Sequence, residues 1–194
     1  MGDNIKIVIE GQDGCGKDTQ IALLKEKIDF IHFKYPTPEF PSIREYLEKK
    51  REVSPKSLFL LFLADIANEQ EKLGGTRETC IIDRYVFSTI AYDRHFSYGN
   101  AKGLVSEIGF LAPDKVLLLD LPPEVAHGRK MKQKEEEGVS PDRYDEDIEY
   151  LGHVRERLLK LKDDSFLCPD WVVLDATKPP EELHMKVLGL LGQA

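Results

Sequence analysis

The chain has few of the residues that mark disulfide scaffolds, membrane spans and basic polyanion binders. Its 194 residues include three cysteines, three methionines and one tryptophan. Cys15, Cys80 and Cys168 are odd in number and have no metal-ligand spacing, which reads as reduced thiols of a cytoplasmic protein rather than bridges or a zinc site. Long hydrophobic runs are missing. The longest, Leu58 to Ala64, is far too short to span a bilayer, and the polar opening Met1 to Lys6 is no secretory signal. Positive charge is in deficit, 27 Lys and Arg against 35 Asp and Glu for a net charge of −8, which argues against nucleic acid or an anionic membrane as partner. A polyanion site must then be a local basic pocket on an acidic body. Repeats, low-complexity tracts and interdomain linkers are also lacking, so residues 1–194 read as a single domain. With 41% hydrophobic residues, a chain of this length buries about 70% of its unfolded surface and needs no staples.

Short apolar runs alternate with helical patterns. Ile5 to Glu10, Phe30 to Phe33, Cys80 to Asp83, Val116 to Asp120 and Trp171 to Asp175 read as strands. Between them lie helical stretches at Thr19 to Lys27 and Ser42 to Arg51. A long helix is predicted to open at Ser54-Pro55 and run to about Leu73, closed by Gly74-Gly75. A last helix covers Pro179 to Leu191. This alternation predicts an α/β fold with a five-stranded parallel sheet flanked by helices. The dense charge run Arg129 to Glu137, followed by Gly138 and Pro141, marks a small helical lid at about residues 129–144.

The segment Glu10-Gly11-Gln12-Asp13-Gly14-Cys15-Gly16-Lys17-Asp18-Thr19 follows a strand and opens a helix. That context suits a phosphate-binding loop of the P-loop NTPase kind. Glycines let successive backbone N–H groups turn inward, the helix N-terminus favours an anion, and Lys17 reaches the terminal phosphates of ATP. The usual Ser or Thr after the lysine is Asp18, a hard-oxygen ligand suited to Mg²⁺. Thr19 then serves the α-phosphate. The bland alternative is a ligand-free glycine turn.

The third strand ends in Asp83-Arg84-Tyr85-Val86-Phe87-Ser88-Thr89-Ile90-Ala91-Tyr92. With this segment the chain resembles the thymidylate kinase family, whose signature is Asp-Arg-Tyr-x-x-Ser-x-x-Ala-Tyr at this place. Tyr35-Pro36, Leu61-Phe62-x-x-Asp65, Leu119-Asp120-Leu121-Pro122-Pro123, Asp142-Arg143-Tyr144 and Asp175-Ala176-Thr177 agree with it in order. The resemblance implies a Mg·ATP-dependent transfer of the γ-phosphoryl group to dTMP, or to another deoxynucleoside monophosphate, by a homodimer packed through the helix after Ser54 and the helix after Tyr85. It implies that Asp83 holds Mg²⁺ through water and that Arg84 bridges donor and acceptor phosphates. By the same resemblance Lys34 holds the acceptor's monophosphate, Phe62 stacks on its base, Tyr92 and Ser88 line the sugar side, and Asp13 reads the 3′-hydroxyl. The loop lacks an arginine among Gly14, Cys15 and Gly16, so the chain resembles the branch of the family that brings its catalytic cation from the lid, which makes Arg129 and Arg143 the candidate lid cations. A phosphate acceptor with second pKa near ~6 is largely dianionic, so the reaction needs cations and positioning rather than a general base.

Two positions depart from the family pattern, both at the base. Ile66 stands where an arginine is expected, and Asp93 stands where Gln or Thr is usual. An apolar Ile66 cannot donate to a thymine carbonyl, whereas an Asp93 carboxylate would accept from an amino-bearing base. Competing readings are a deoxynucleoside kinase, which needs a carboxylate base near the second strand where only Glu39 stands, and a nucleotide-binding regulator without turnover. No Asn-Lys-x-Asp guanine motif supports a GTPase switch.

Overall fold

A computed structural model of the chain describes residues 5–140, 143–144 and 147–192. Among these, the elements in chain order are β1 (Lys6–Glu10), α1 (Lys17–Lys25), β2 (Ile31–Lys34), α2 (Pro41–Leu47), α3 (Pro55–Asn68) and α4 (Gln70–Gly75), then β3 (Cys80–Asp83), α5 (Val86–Tyr92) and α6 (Tyr98–Ile108), then β4 (Lys115–Asp120), α7 (Pro123–Glu137), α8 (Ile148–Asp163), β5 (Trp171–Asp175) and α9 (Pro180–Leu190). The strands form one parallel sheet in the order β2-β3-β1-β4-β5. No helix among the described residues is long and apolar enough to cross a membrane.

The central strands are continuous apolar runs because helices cover both faces. Val8, Ile82, Val116 and Leu118 point to one face, where they pack with Leu63, Ile90 and Val154. Their neighbours Ile7, Ile9, Ile81, Leu117 and Leu119 point to the other, against Ile21, Leu24, Leu183 and Val187. This two-residue alternation gives the three layers of a P-loop NTPase fold. The chain leaves β1 toward β3 and β2, then returns past β1 to β4. That reversal opens a crevice at the C-terminal ends of the strands, where loops can converge on a ligand.

Local details differ from the sequence expectations in physically readable ways. The helix after Ser54 is capped as expected, with the Ser57 amide donating to Ser54 Oγ at 3.2 Å. It stops at Asn68 rather than Leu73, because the Gln70 side chain donates to the Ile66 carbonyl and accepts from Tyr85 and Leu111. That pull turns the chain, and α4 begins anew at Gln70. The charge run Arg129 to Glu137 is the distal half of a continuous α7, ended by Gly138 at φ 64°. Helices α6 and α8 are additions to the expected set. Strand β2 sits one residue later than expected, which brings Lys34 into register with Asp83.

Leu117 is fully buried in the sheet centre. Leu117→Ala should lower unfolding free energy by about 2–5 kcal/mol, as deletion of a packed side chain leaves a cavity. In urea titrations, truncating the exposed Val173 to Ala should cost less than half as much. Equal losses would place the core elsewhere.

Candidate active site

The loop between β1 and α1 has its shape because two glycines admit what no other residue can. At Gly14, φ is 81° and a Cβ would lie 2.4 Å from the Ala126 carbonyl oxygen. At Gly11 a Cβ would lie 2.7 Å from the Leu119 carbonyl oxygen. The loop therefore lies directly on β4 and α7. Lys17, buried, curls back over it and donates to the Gly11 carbonyl at 2.8 Å. Gln12 is a strut rather than a ligand-facing group: its Nε2 donates to the Leu121 carbonyl at 2.7 Å, and the side chain is buried. Burial pushes the Cys15 thiol up, so it stays neutral within the loop. Gly16, at φ 94°, caps α1, whose first turn carries Asp18 and Thr19.

Glu10, at the end of β1, is completely buried. Its carboxylate accepts the Tyr85 amide at 2.8 Å, the Ser88 amide at 3.2 Å and the Ser88 hydroxyl at 2.6 Å. Burial raises its pKa against the opposing pull of Ser88, Arg84 and Lys17. The carboxylate thus ties the segment after β3 to the strand that carries the phosphate loop. Immediately before the tethered Tyr85, Arg84 adopts a left-handed backbone, φ 65°, unusual for a side chain of this size. That conformation turns its guanidinium toward the loop, where it pairs with Asp13 at 2.5 Å and donates to Ser88 Oγ at 3.2 Å. Tyr92 donates its hydroxyl to Asp13 at 2.7 Å, and its ring lies 5.1 Å from the guanidinium. Burial raises the Asp13 carboxyl, but the Arg84 and Lys17 charges and the Tyr92 hydroxyl outweigh it, leaving the group well below the usual carboxylate range. Asp13 and Arg84 face two spaces at once.

The first space is a groove of about 1100 Å³ over the phosphate loop, reached by Lys17, Asp18, Asp83, Arg129 and Lys130. Arg129 donates to the Ala176 carbonyl at 2.9 Å, so it spans from α7 to the loop after β5 at the groove's edge. The second is a cavity of about 480 Å³ between α3, α5 and α8, lined by Phe62, Ile66, Ser88, Tyr92, Asp93 and Arg143. Phe62 belongs to this wall and not to the core, where Phe59 sits instead. Arg143 is on the same side, stacked on Tyr46 at 4.3 Å and paired with Glu52 at 2.6 Å. The two proposed lid arginines therefore stand over different spaces. Asp142, the first residue of that motif, lies outside the described residues. Asp93 is partly committed, because one carboxylate oxygen accepts the Phe96 amide at 2.7 Å and closes the turn after α5. Its reach toward an amino-bearing base is correspondingly reduced. Ile66 is 1% exposed and offers the base end of the cavity no hydrogen bond.

Lys34, Asp18 and Asp83 meet in the groove over the phosphate loop. The Lys34 ammonium is 2.5 Å from Asp18 and 3.1 Å from Asp83. Asp83 Oδ1 is buried and has no partner. Two carboxylates beside a phosphate loop, one with an unsatisfied oxygen, fit a hard divalent cation that takes its other ligands from phosphate oxygens and water. No group of three or more His, Cys, Asp or Glu able to hold a metal occurs among the described residues. The residues that pattern reading missed as organisers are Glu10, Tyr150 and Arg157. Only Glu10 carried a signal, a lone carboxylate ending an otherwise apolar strand.

A phosphate loop at the sheet's crevice, a cationic centre and an adjoining aromatic cavity define a phosphotransferase that works on nucleotides. A thymidylate kinase family model matches residues 9–187. The chain is 33% identical over 198 residues to the probable thymidylate kinase of Methanocaldococcus jannaschii, covering 98% of this chain and 97% of that protein. It is 35% identical to probable thymidylate kinase 1 of Saccharolobus solfataricus, covering 95% of each. The solved thymidylate kinase of Candida albicans superposes with a TM-score of 0.80 at 25% identity, over 98% of this chain and 92% of that one. The chain belongs to the thymidylate kinase family, and as such is a nucleoside monophosphate kinase.

Removing the Glu10 carboxylate strands two buried amides and a hydroxyl. Glu10→Ala should destabilise the protein by about 2–4 kcal/mol, while Glu10→Gln, which keeps a carbonyl acceptor, should retain most of the stability. Denaturant titration of both separates hydrogen bonding from charge, and equal losses would contradict the assignment. A second expectation concerns acid. Asp13 ionises more readily folded than unfolded, so its contribution is complete above its ordinary value of 3.8 and is lost as pH falls below it. Stability curves of wild type and Asp13→Asn should therefore draw together below that pH. Curves that stay parallel would remove Asp13 from the acid response.

Proposed function

We propose that the protein transfers the γ-phosphoryl group of Mg·ATP to a deoxynucleoside monophosphate, with dTMP as the acceptor. The observation that carries this reading is the Asp13–Arg84–Tyr92 cluster, in which Asp13 and Arg84 line both the loop groove and the aromatic cavity and Tyr92 lines the cavity. ATP would lie with its phosphates against residues Gly11 to Thr19, and Lys17 would leave the Gly11 carbonyl for the terminal phosphates. Arg129 would stand at the donor end of that groove. The acceptor would enter the cavity with its base against Phe62 and its sugar against Tyr92 and Ser88. Asp13 would then accept from the 3′-hydroxyl. Arg84 would lie between the two phosphates, where its delocalised charge offsets what accumulates during transfer. Arg143, held by Tyr46 and Glu52, would close the cavity's outer side.

Asp18 and Asp83 would hold Mg²⁺, which supplies charge neutralisation and in-line orientation when bound. The proposal includes a homodimer. Helix α5 is buried within the chain, so the contact face would be α3 with α6, where Leu60, Leu104 and Ile108 are exposed. A cytoplasmic site of action accords with three free buried cysteines.

A second reading, a broader or shifted base preference, is favoured by one observation: Ile66 leaves the base end of the cavity without a donor on α3. The Candida albicans relative is itself described as having broad substrate specificity. The deciding experiment is ADP release from Mg·ATP across deoxy- and ribonucleoside monophosphates. We expect dTMP to lead by less than the several-kcal/mol margin that a buried base-reading contact can give. Arg84→Ala should lower kcat by about 10²–10³ with every acceptor. Turnover led by another monophosphate would establish the second reading, and ATP binding without turnover on any acceptor would overturn both.

A further inference from the structure

We propose that Lys34 is a resident counter-ion for the metal-side carboxylates, the group that an incoming divalent cation has to displace. Three observations converge on it. The parallel register of β2 and β3 sets Lys34 opposite Asp83, so both side chains emerge on the same face at the sheet's C-terminal edge. The ammonium bridges two different elements, at 2.5 Å from Asp18 on α1 and 3.1 Å from Asp83 on β3. Asp83 is 2% exposed, and its second oxygen, Oδ1, has no partner in the protein. A buried carboxylate with an unused oxygen, sharing its cation with an exposed one, is a site whose ligands are already assembled.

The two carboxylates repel each other unless a cation lies between them, and a compact ammonium on a flexible stem suits that place better than a planar guanidinium. Its three N–H groups can serve both carboxylates and still leave, because the stem rotates freely and the head is half exposed. A Ser or Thr at position 18, the usual phosphate-loop residue, would give Lys34 no such partner. Asp18 and Lys34 thus act as a pair. Lys34 keeps Asp18 and Asp83 together before the metal arrives, and it excludes a bare divalent ion that brings no phosphate oxygens of its own. Once displaced, the ammonium is released into the groove over the phosphate loop.

The meaning of this inference rests on the kinase reading, but its test does not. Mn²⁺ alone, with neither ATP nor a monophosphate, is titrated into the protein and free Mn²⁺ is followed by electron paramagnetic resonance. Wild type should bind Mn²⁺ weakly, and Lys34→Met should bind it about tenfold or more tightly, since an attached positive charge no longer competes. Lys130→Met, which removes a lysine from the same groove, controls for general charge and should shift affinity less than about threefold at moderate salt. Adding Asp18→Asn to Lys34→Met should abolish the gain. The inference falls if Lys34→Met stays within threefold of wild type, if Lys130→Met gains as much, or if the double variant keeps its gain. Lys34→Gln is the companion should the methionine variant not fold. Loss of phosphoryl transfer with an intact Mn²⁺ ranking would fault the kinase reading alone.

Discussion

Glu10 is a carboxylate with no access to water, at the end of the middle strand of a sheet covered on both faces. A charge in that position is tolerated only if every oxygen is occupied and cations stand near. Two amides and a hydroxyl from the segment after β3 occupy it, and Arg84 and Lys17 supply the charge. The residues around the phosphate loop are built onto this anchorage. It sets where α5 begins, holds Arg84 in a left-handed backbone, and thereby decides that the guanidinium meets Asp13 rather than solvent. The loop after β1 and helix α5 are tied together because a buried acid joins them.

The aromatic cavity is stiffened from behind. Arg157 on α8 donates to the carbonyls of Ile90 at 2.9 Å, Asp93 at 2.5 Å and Phe96 at 3.2 Å, at the end of α5 and in the turn that follows it. The Tyr150 hydroxyl donates to the Tyr92 carbonyl. Helix α8 therefore fixes the residue whose ring and hydroxyl touch Arg84 and Asp13. The aromatic wall formed by Tyr92, Tyr144 and Tyr150, with ring centroids 4.9–5.9 Å apart, gives a rigid surface for a flat ligand at small conformational cost.

Charge is distributed to suit an anionic substrate on an acidic protein. The net charge of −8 repels polyanions at a distance, while Lys17, Lys34, Arg84 and Arg129 concentrate positive potential in one crevice. Each of these cations already has an oxygen partner: a backbone carbonyl for Lys17 and Arg129, carboxylates for Lys34 and Arg84. Ligand binding is then an exchange of partners, and its free energy depends on how well phosphate oxygens replace those already present.

The five strands, the first helices between them and the glycine-rich turn after β1 were legible in the linear sequence. They depend on local patterns: apolar runs for strands buried on both faces, glycines where φ is positive, a serine cap before a proline. Helix α8 carries a helical pattern, since Tyr150, Leu151, Val154, Leu158 and Leu161 share one face, but no chemical motif marks it. Other features could be decided only in three dimensions. Which oxygen each cation holds, that Arg129 and Arg143 stand over different spaces, that Asp93 closes a turn, and that Lys34 faces Asp83 all depend on a one-residue register and on contacts between residues tens of positions apart. Local propensity determines which elements form. Hydrogen-bond partners are set by packing, because a buried charge accepts whatever donor the completed fold brings within 3 Å.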